Sequence, residues 1–304
     1  MSQPITVSVI IPAYTIDRME DILKAVQSVN RQSVKPLEII IAVDHNEKLK
    51  DLLLDMEIVR VAYNNKIVGG AETRNAGIYA AVGDIVAFLD DDAYASKDWL
   101  KHIMSVYDDE SVLAVGGKTI CEWENGRPSW FPRELDWLVG GTWKGHREDR
   151  GEVRNLIGPN MSFRRTVCNK IGYMRSELGA LGTGFRAGDE TEFYIRLKSA
   201  YPDAKIIYNP KAVVFHKVYA FKGTWMSLAS RSYSLGYFKS KAAKVLMTST
   251  NKPFHVEGAF LRYLLLSAIP RKLTGLALGQ ACAIIISILF TGSGYLKGKF
   301  ERAS

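Results

Sequence analysis

Residues 86–94 read VAFLDDDAY. An apolar run from Ile85 to Leu89 feeds straight into three carboxylates, Asp90, Asp91 and Asp92. Like charges this close repel, and burying them pushes their pKa values up. A cation would neutralise them. Mg²⁺ and Mn²⁺ prefer oxygen ligands, and Mg²⁺ usually takes one or two protein carboxylates and fills its shell with phosphate oxygens. A diphosphate-bearing substrate would complete such a shell, and the metal would stabilise charge on a departing diphosphate. A bare acidic triplet reads as a solvated turn. Two features argue otherwise: the apolar strand before it, and a second acidic strand end at Asp44.

The surrounding pattern gives that argument its frame. VSVIIPAY (7–14), LEIIIAVD (37–44), IVRVAY (58–63) and DIVAFLD (84–90) read as buried strands. Between them, Met19 to Asn30, KLKDLLLDM and Ala71 to Val82 have helical spacing. Strands alternating with helices predict a parallel α/β sheet, in which ligands bind at the carboxyl ends of the strands. Asp44 and the triplet both sit at such ends. From Ser111 to about Val218 the pattern is less regular. A helix is expected over TEFYIRLKSAY (191–201), and two strands over IIYNP and AVVFHKV.

Taken in order, the stretches VSVIIPAY, EIIIAVD, GGAETRNAGIYAAVGDIVAFLDDDA, GPNMSFRR, GDETEFYIRL and AVVFHKV resemble a family 2 glycosyltransferase of the GT-A fold. The resemblance covers roughly residues 5 to 218. It implies an α/β catalytic domain with a Rossmann-like half and a mixed, mainly parallel sheet, followed by C-terminal membrane-associated helices. The expected division is 1–218 for the catalytic domain (1–110 binding the nucleotide sugar, 111–218 the acceptor) and 219–304 for membrane attachment.

The resemblance also implies roles. Pro12, Ala13 and Tyr14 would line the nucleotide pocket, and Asp44 would bind the uracil edge, although AVDHN is a shorter acidic signature than the family usually carries. Arg74 would meet the nucleotide. Asp90 and Asp91 would lie at the nucleotide sugar, while Asp92 and His216 would hold Mn²⁺ or Mg²⁺. Asn160 would bind a sugar hydroxyl, and Arg164 or Arg165 a phosphate. The family's Glu-Asp order is swapped in Gly188-Asp189-Glu190-Thr191-Glu192, which puts Glu190 in the position of the catalytic base with Asp189 as its neighbour and substitute. Acids also favour the first turn of a helix without doing chemistry.

The C-terminal third is set apart by charge. From Lys211 onward there are 14 basic residues and two acids, whereas the first 210 residues hold 26 basic and 30 acidic groups. Basic charge of this kind marks nucleic acid or an anionic membrane. The uncharged run LTGLALGQACAIIISILFTGSGYL (273–296) favours the membrane, being long enough for a bilayer core, and PFHVEGAFLRYLLLSAIPRK before it reads as interfacial. No nucleic-acid partner is expected. The three cysteines are scattered with no CxxC pair, which fits a reducing compartment. The opening lacks the basic start and cleavage site of a signal peptide and is expected to be a strand.

The resemblance therefore implies an inverting, metal-dependent enzyme. It would move a sugar from a UDP-sugar to a polyprenyl- or dolichyl-phosphate-linked sugar at the cytoplasmic face of the cell membrane. ELGALGTGFRAGDETEF and AVVFHKV look similar to archaeal dolichyl-phosphate-glucose glucuronosyltransferases of protein N-glycosylation. Alternatives are transfer to polyprenyl phosphate itself or to another cell-surface polysaccharide precursor. A sugar-1-phosphate nucleotidyltransferase is disfavoured, because its glycine-rich loop after the first strand is replaced here by PAYTIDRMED. A non-catalytic nucleotide-sugar-binding subunit would have no need of Asp92 and Glu190 together.

Overall fold

The computed structural model describes residues 4–176, 188–246 and 255–301. These form two compact units, one of residues 4–120, 147–176 and 189–216, the other of 121–146, Gly188, 217–246 and 255–301. Most of the first unit alternates strand and helix: β1 (Val7–Ala13), α1 (Met19–Asn30), β2 (Glu38–Asp44), α2 (Glu47–Leu54), β3 (Arg60–Asn64), α3 (Gly70–Ala80) and β4 (Ile85–Phe88). Then follow β5 (Ala93–Ala95), α4 (Trp99–Met104), β6 (Val112–Trp123), β7 (Gly151–Glu152), β8 (Met161–Arg164), α5 (Val167–Ile171), α6 (Asp189–Ala200) and β9 (Lys205–Val218).

The strands form one mixed sheet in the order β3-β2-β1-β4-β8-β6-β9-β5, with β7 on β9. β1 lies parallel to both β2 and β4, and β2 parallel to β3. β8 runs antiparallel to β4 and β6. The chain thus winds outward from β1 to β3 and then crosses to β1's other side. That reversal opens a crevice at the carboxyl ends of β1 and β4, where open α/β sheets bind ligands.

The apolar runs follow from burial on both faces. Odd residues such as Val9, Ile11, Ile41 and Ala87 pack with α1, α2 and α4. Even ones such as Ile10, Ile40, Val86 and Phe88 pack with α3, α5 and α6. A strand covered on both sides has no polar face to alternate with. Pro12 is tolerated in this central strand for a local reason. Its missing N–H faces the β4 side, and β4 pairs with β1 only as far as Ile10.

Two expectations need correcting. β9 is one strand, not two, and runs through Pro210. In the second unit the uncharged run is not one helix: α9 (Ile269–Thr274) stops, Leu276 turns with φ of 55°, and α10 begins at Leu278 and continues to Phe300. That unit also holds α7 (Trp225–Leu246) and α8 (His255–Tyr263). A π-helical turn, Leu264–Ala268, joins α8 to α9. Pro270 lies just beyond it, and its missing N–H deprives the Leu266 carbonyl of a regular helical donor. Phe131, Leu135, Leu138 and Val139 pack there with Leu228, Leu235, Leu264 and Ile284.

Candidate active site

β4 ends at Phe88, and the turn that follows carries Asp90 to Asp92 to the crevice, the Ala93 N–H donating back to the Asp90 carbonyl at 3.1 Å. β5 then pairs antiparallel with β9, and this register sets Ala93 opposite His216. The imidazole is buried with the triplet as a result. His216 Nε2 lies 3.0 Å from Asp92 Oδ1 and 4.0 Å from Asp90 Oδ2. Asp90, Asp92 and His216 each offer a ligand atom, all within 4.8 Å of one another.

Two arginines compensate the other carboxylates. Arg18 Nη1 lies 2.6 Å from Asp91 Oδ1 and 3.2 Å from Asp92 Oδ2, with its guanidinium over the Tyr14 ring. Arg74, one turn into α3, sits among three acids: 3.2 Å from Asp189 Oδ2, 3.6 Å from Asp90 Oδ1 and 3.8 Å from Glu190 Oε1. Burial works against its charge, but Glu190, Asp189 and Asp90 outweigh it and hold the guanidinium protonated.

Five carboxylates against two arginines and a histidine leave the cluster acidic. Burial raises the Asp90 pKa against the pull of Arg74 and His216. Burial and then Asp92 raise that of Asp91 against Arg18. Asp189 is pushed well above the usual carboxylate range, by burial and then by Glu190. Such a site gains from added positive charge, and the donor set of two carboxylates and an imidazole suits Mn²⁺ or Mg²⁺. Orphaned atoms point the same way: Asp90 Oδ1, Asp91 Oδ2, Arg74 Nε and His216 Nδ1 are buried with no hydrogen-bond partner. Buried polar atoms are ordinarily satisfied, so the residues fit a divalent ion and a polar ligand.

Asp189 and Glu190 open α6 just after Gly188, whose φ of 132° turns the chain into the helix. Asp189 is 2% exposed, while the Glu190 side chain is partly open at 22%. Gly158 allows this arrangement. A Cβ there would stand 2.6 Å from Glu190 Oε1 and 3.1 Å from Arg74 Nη2.

Other expected residues are occupied differently. Asp44 ends β2, but its carboxylate accepts from Asn64 Nδ2 at 2.9 Å and from the Gly69 N–H, at the start of α3, at 3.0 Å. Pro12, Ala13 and Tyr14 close β1, and the Tyr14 carbonyl accepts from Asn46 Nδ2 at 3.1 Å. Asn160 is 1% exposed. Its Oδ1 accepts from Trp99 Nε1 at 2.8 Å, and its Nδ2 donates to the Lys118 and Ala212 carbonyls. A sugar hydroxyl would have to displace one of these bonds.

Arg164 and Arg165 do not reach a phosphate at the crevice. Because β8 runs antiparallel to β4, Met161 faces Phe88 but Arg164 faces Ile85, at the opposite edge. There Arg164 donates to the Val112 and Tyr107 carbonyls, and Arg165 to that of Gly83. The part of ELGALGTGFRAGDETEF from 177 to 187 lies outside the described residues. Sequence reading missed Arg18, Gly158 and Asn64. Arg18 had a signal, being a cation five residues past the end of β1 in a loop bound for the crevice.

A mixed sheet with a Rossmann-like half and an Asp-x-Asp cluster at its switch point defines the GT-A fold of glycosyltransferases. Residues 8–172 match Glycosyl transferase family 2, and the chain belongs to that family. It is 32% identical over 304 residues, covering 96% of each chain, to the glucosyl-dolichyl phosphate glucuronosyltransferase of Haloferax volcanii. It is 26% identical over 163 residues to the succinoglycan biosynthesis protein ExoM of Rhizobium meliloti, covering 54% of this chain and 49% of that one. Among solved structures it resembles GalNAc-T7, crystallised with UDP, GalNAc and Mn²⁺, at a TM-score of 0.53 and 17% identity. That match covers 86% of this chain and 54% of the other.

Proposed function

We propose that this family 2 glycosyltransferase moves a sugar, glucuronate in the first instance, from a UDP-sugar to a dolichyl- or polyprenyl-phosphate-linked sugar. The setting is the cytoplasmic face of a membrane, in glycan assembly for protein N-glycosylation. The observation that carries the transfer chemistry is the meeting of Asp90, Asp92 and His216 with Asp189 and Glu190 around Arg74. Supporting the acceptor is the likeness, over nearly the whole chain, to the Haloferax enzyme, whose name gives glucosyl-dolichyl phosphate as substrate.

Asp90, Asp92 and His216 would hold Mn²⁺ or Mg²⁺, which when bound supplies positive charge to the diphosphate of the donor. Asp90 and Asp91 would lie at the nucleotide sugar, with Pro12, Ala13, Tyr14 and Asp44 along the nucleotide, and Asn160 would meet the sugar by giving up one of its bonds to Trp99, Lys118 or Ala212. Arg18 fixes Asp91 and steadies Asp92. Arg74 ties Asp90 to the start of α6 and so sets the donor side against the acceptor side. Glu190, the more open carboxylate of its pair, takes the proton of the attacking hydroxyl. Asp189, whose pKa burial raises, sits beside it as the first acid of α6 and pairs with Arg74. A lipid phosphate is already ionised at neutral pH and needs no base. A positioned carboxylate therefore favours a sugar hydroxyl as the nucleophile.

The test is UDP release by the detergent-solubilised protein. UDP-glucuronate, UDP-glucose and UDP-N-acetylglucosamine are offered with Mn²⁺, Mg²⁺ or EDTA, and with dolichyl-phosphate glucose or dolichyl phosphate. Metal-dependent release from one donor only when dolichyl-phosphate glucose is present is the expected result. Release with dolichyl phosphate alone would overturn the acceptor, and an unchanged rate in EDTA would overturn the metal.

A further inference from the structure

α10 is built inside out. The face it turns to the protein carries Ala281, Ile284, Ser287, Thr291, Gly294 and Gly298, mostly small. The face it turns outward carries Leu278, Cys282, Ile285, Leu289, Leu296 and Phe300, with Leu289 at 64% and Phe300 at 75% exposure. A helix of a soluble unit does the opposite. The small face is explained by α7, which runs parallel to α10 in close contact. Ser232 Oγ donates to Ser287 Oγ at 3.0 Å. A methyl group at Gly236, Gly294 or Gly298 would collide with the Thr291 carbonyl, the Tyr233 carbonyl or the Ser240 hydroxyl, respectively. At the far end Lys241 pairs with Glu301 at 2.7 Å.

By length and composition α10 is able to cross a bilayer. The packing argues against it. α7 accompanies α10 from Ser232 to Lys241, and α7 carries Arg231, Lys239, Lys241 and Lys244. With α10 crossing, Arg231, level with the middle of α10 near Ser287, would be drawn into the hydrocarbon, where a charge is costly, while Lys239, Lys241 and Lys244 stand beside its C-terminal end. Lying flat, α10 puts its outer face into the headgroup–acyl boundary and leaves α7 on the wet side. The charge complement is in place. Lys297 and Lys299 are exposed on α10 itself, Arg262 and Arg271 on the segments before it, and acids are few throughout the unit's C-terminal part.

We infer that this protein is monotopic: α10 lies in the plane of an anionic phospholipid bilayer, seated by Leu278, Ile285, Leu289, Leu296 and Phe300, and does not span it. This rests on the membrane setting proposed above and makes the mode of attachment specific.

The test reads vesicles and no activity, so it stands or falls apart from the choice of sugar and acceptor. Single cysteines at 278, 289 and 300, each in a chain with Cys121, Cys168 and Cys282 replaced by serine, carry a fluorophore. The full chain is bound to vesicles of phosphatidylcholine containing about a third phosphatidylglycerol, with nitroxide quenchers at shallow and deep positions of the acyl chain. Equal, shallow depth at all three positions is the expected result. A centre far deeper than both ends would mean a span and overturn the inference. In parallel, I285E/L289E is expected to weaken binding to these vesicles by about tenfold or more while its far-ultraviolet circular dichroism matches the parent. Unchanged binding, or an outer face covered by a second copy that sediments as a dimer and ignores vesicles, would overturn it too.

Discussion

His216 Nε2 stands 3.0 Å from Asp92 Oδ1 because the β5–β9 register places His216 opposite Ala93, the residue after Asp92. The pairing of an edge strand, not proximity in sequence, brings His216 to Asp90 and Asp92 and completes a group of three that could hold a metal ion. Replacing one donor should therefore weaken the metal while sparing the sheet. His216→Ala is expected to lower Mn²⁺ affinity by at least about tenfold, since changes one shell further out already cost that much in metal sites. Paramagnetic resonance titration of free Mn²⁺ measures this directly. Unaltered affinity in H216A would remove His216 from the site.

The two acids that open α6 should behave differently when each is made neutral. Burial pushes the Asp189 pKa up and favours its neutral form, so Asp189→Asn imitates that form. Glu190 is the one that must ionise. Glu190→Gln is expected to lower kcat by roughly 10²- to 10⁴-fold, the usual contribution of a positioned base, and D189N by much less. The kcat of the two variants under saturating donor and acceptor decides it. A deeper loss in D189N would exchange their roles.

Asp189 also makes a prediction about stability. Its folded pKa is raised above its unfolded value, so the folded state binds the extra proton. That contribution is full below the unfolded value, near 4, and is lost as pH rises toward the folded one. D189N has no such loss. Its melting temperature relative to the parent should therefore climb as pH rises above about 4 when measured in EDTA. A flat difference across that range would show that the carboxyl is ionised in the folded protein.

Legibility in the sequence followed burial. β1, β2 and β4 could be read almost to the residue because strands covered on both faces, as Ile10 and Ile11 are, leave unbroken apolar runs. β9 was misread at Pro210, where a strand was expected to stop. It continues because its two halves meet different partners, Ile207 and Tyr208 facing β7 and Val214 to His216 facing β5, with Pro210 between them. The break at Leu276 was invisible because a turn inside an uncharged run changes no hydropathy. In the site, the acids could be read from their position at strand ends. Gly158 could not, since its importance lies in what folding brings against it, Glu190 and Arg74, and for Arg18 the sequence showed its place after β1 but not the Asp91 it meets.

Gly158 should be sensitive in function more than in fold. A Cβ there meets the ends of two side chains, Glu190 Oε1 at 2.6 Å and Arg74 Nη2 at 3.1 Å, and not backbone. Those ends can swing away, which displaces the base. Gly158→Ala is therefore expected to lose about tenfold or more in kcat, because a misplacement of 1 Å can cost about 10²-fold, with little change in KM for the donor. Its melting temperature should stay within a few degrees of the parent. A large fall in melting temperature with kcat intact would make Gly158 a packing residue only.

Arg18 gives the converse case, in which charge and not shape is at stake. Its guanidinium sits 2.6 Å from Asp91 and 3.2 Å from Asp92, and all three side chains are mostly buried. Removing one partner of a buried pair leaves uncompensated charge and typically costs about 3–5 kcal/mol. Arg18→Met keeps the apolar stem over the Tyr14 ring and removes the charge. It is expected to unfold at lower urea in EDTA, by an amount in that range or somewhat below it. Saturating Mn²⁺ should return part of the loss, because a cation bound beside Asp92 replaces some of the missing positive charge and binds only the folded state. Urea titrations of R18M and the parent, each with EDTA and with Mn²⁺, separate the two effects. Equal destabilisation in both conditions would mean that Arg18 and the metal site are electrostatically independent, and would undercut the reading of the triplet as a cluster held in balance by cations.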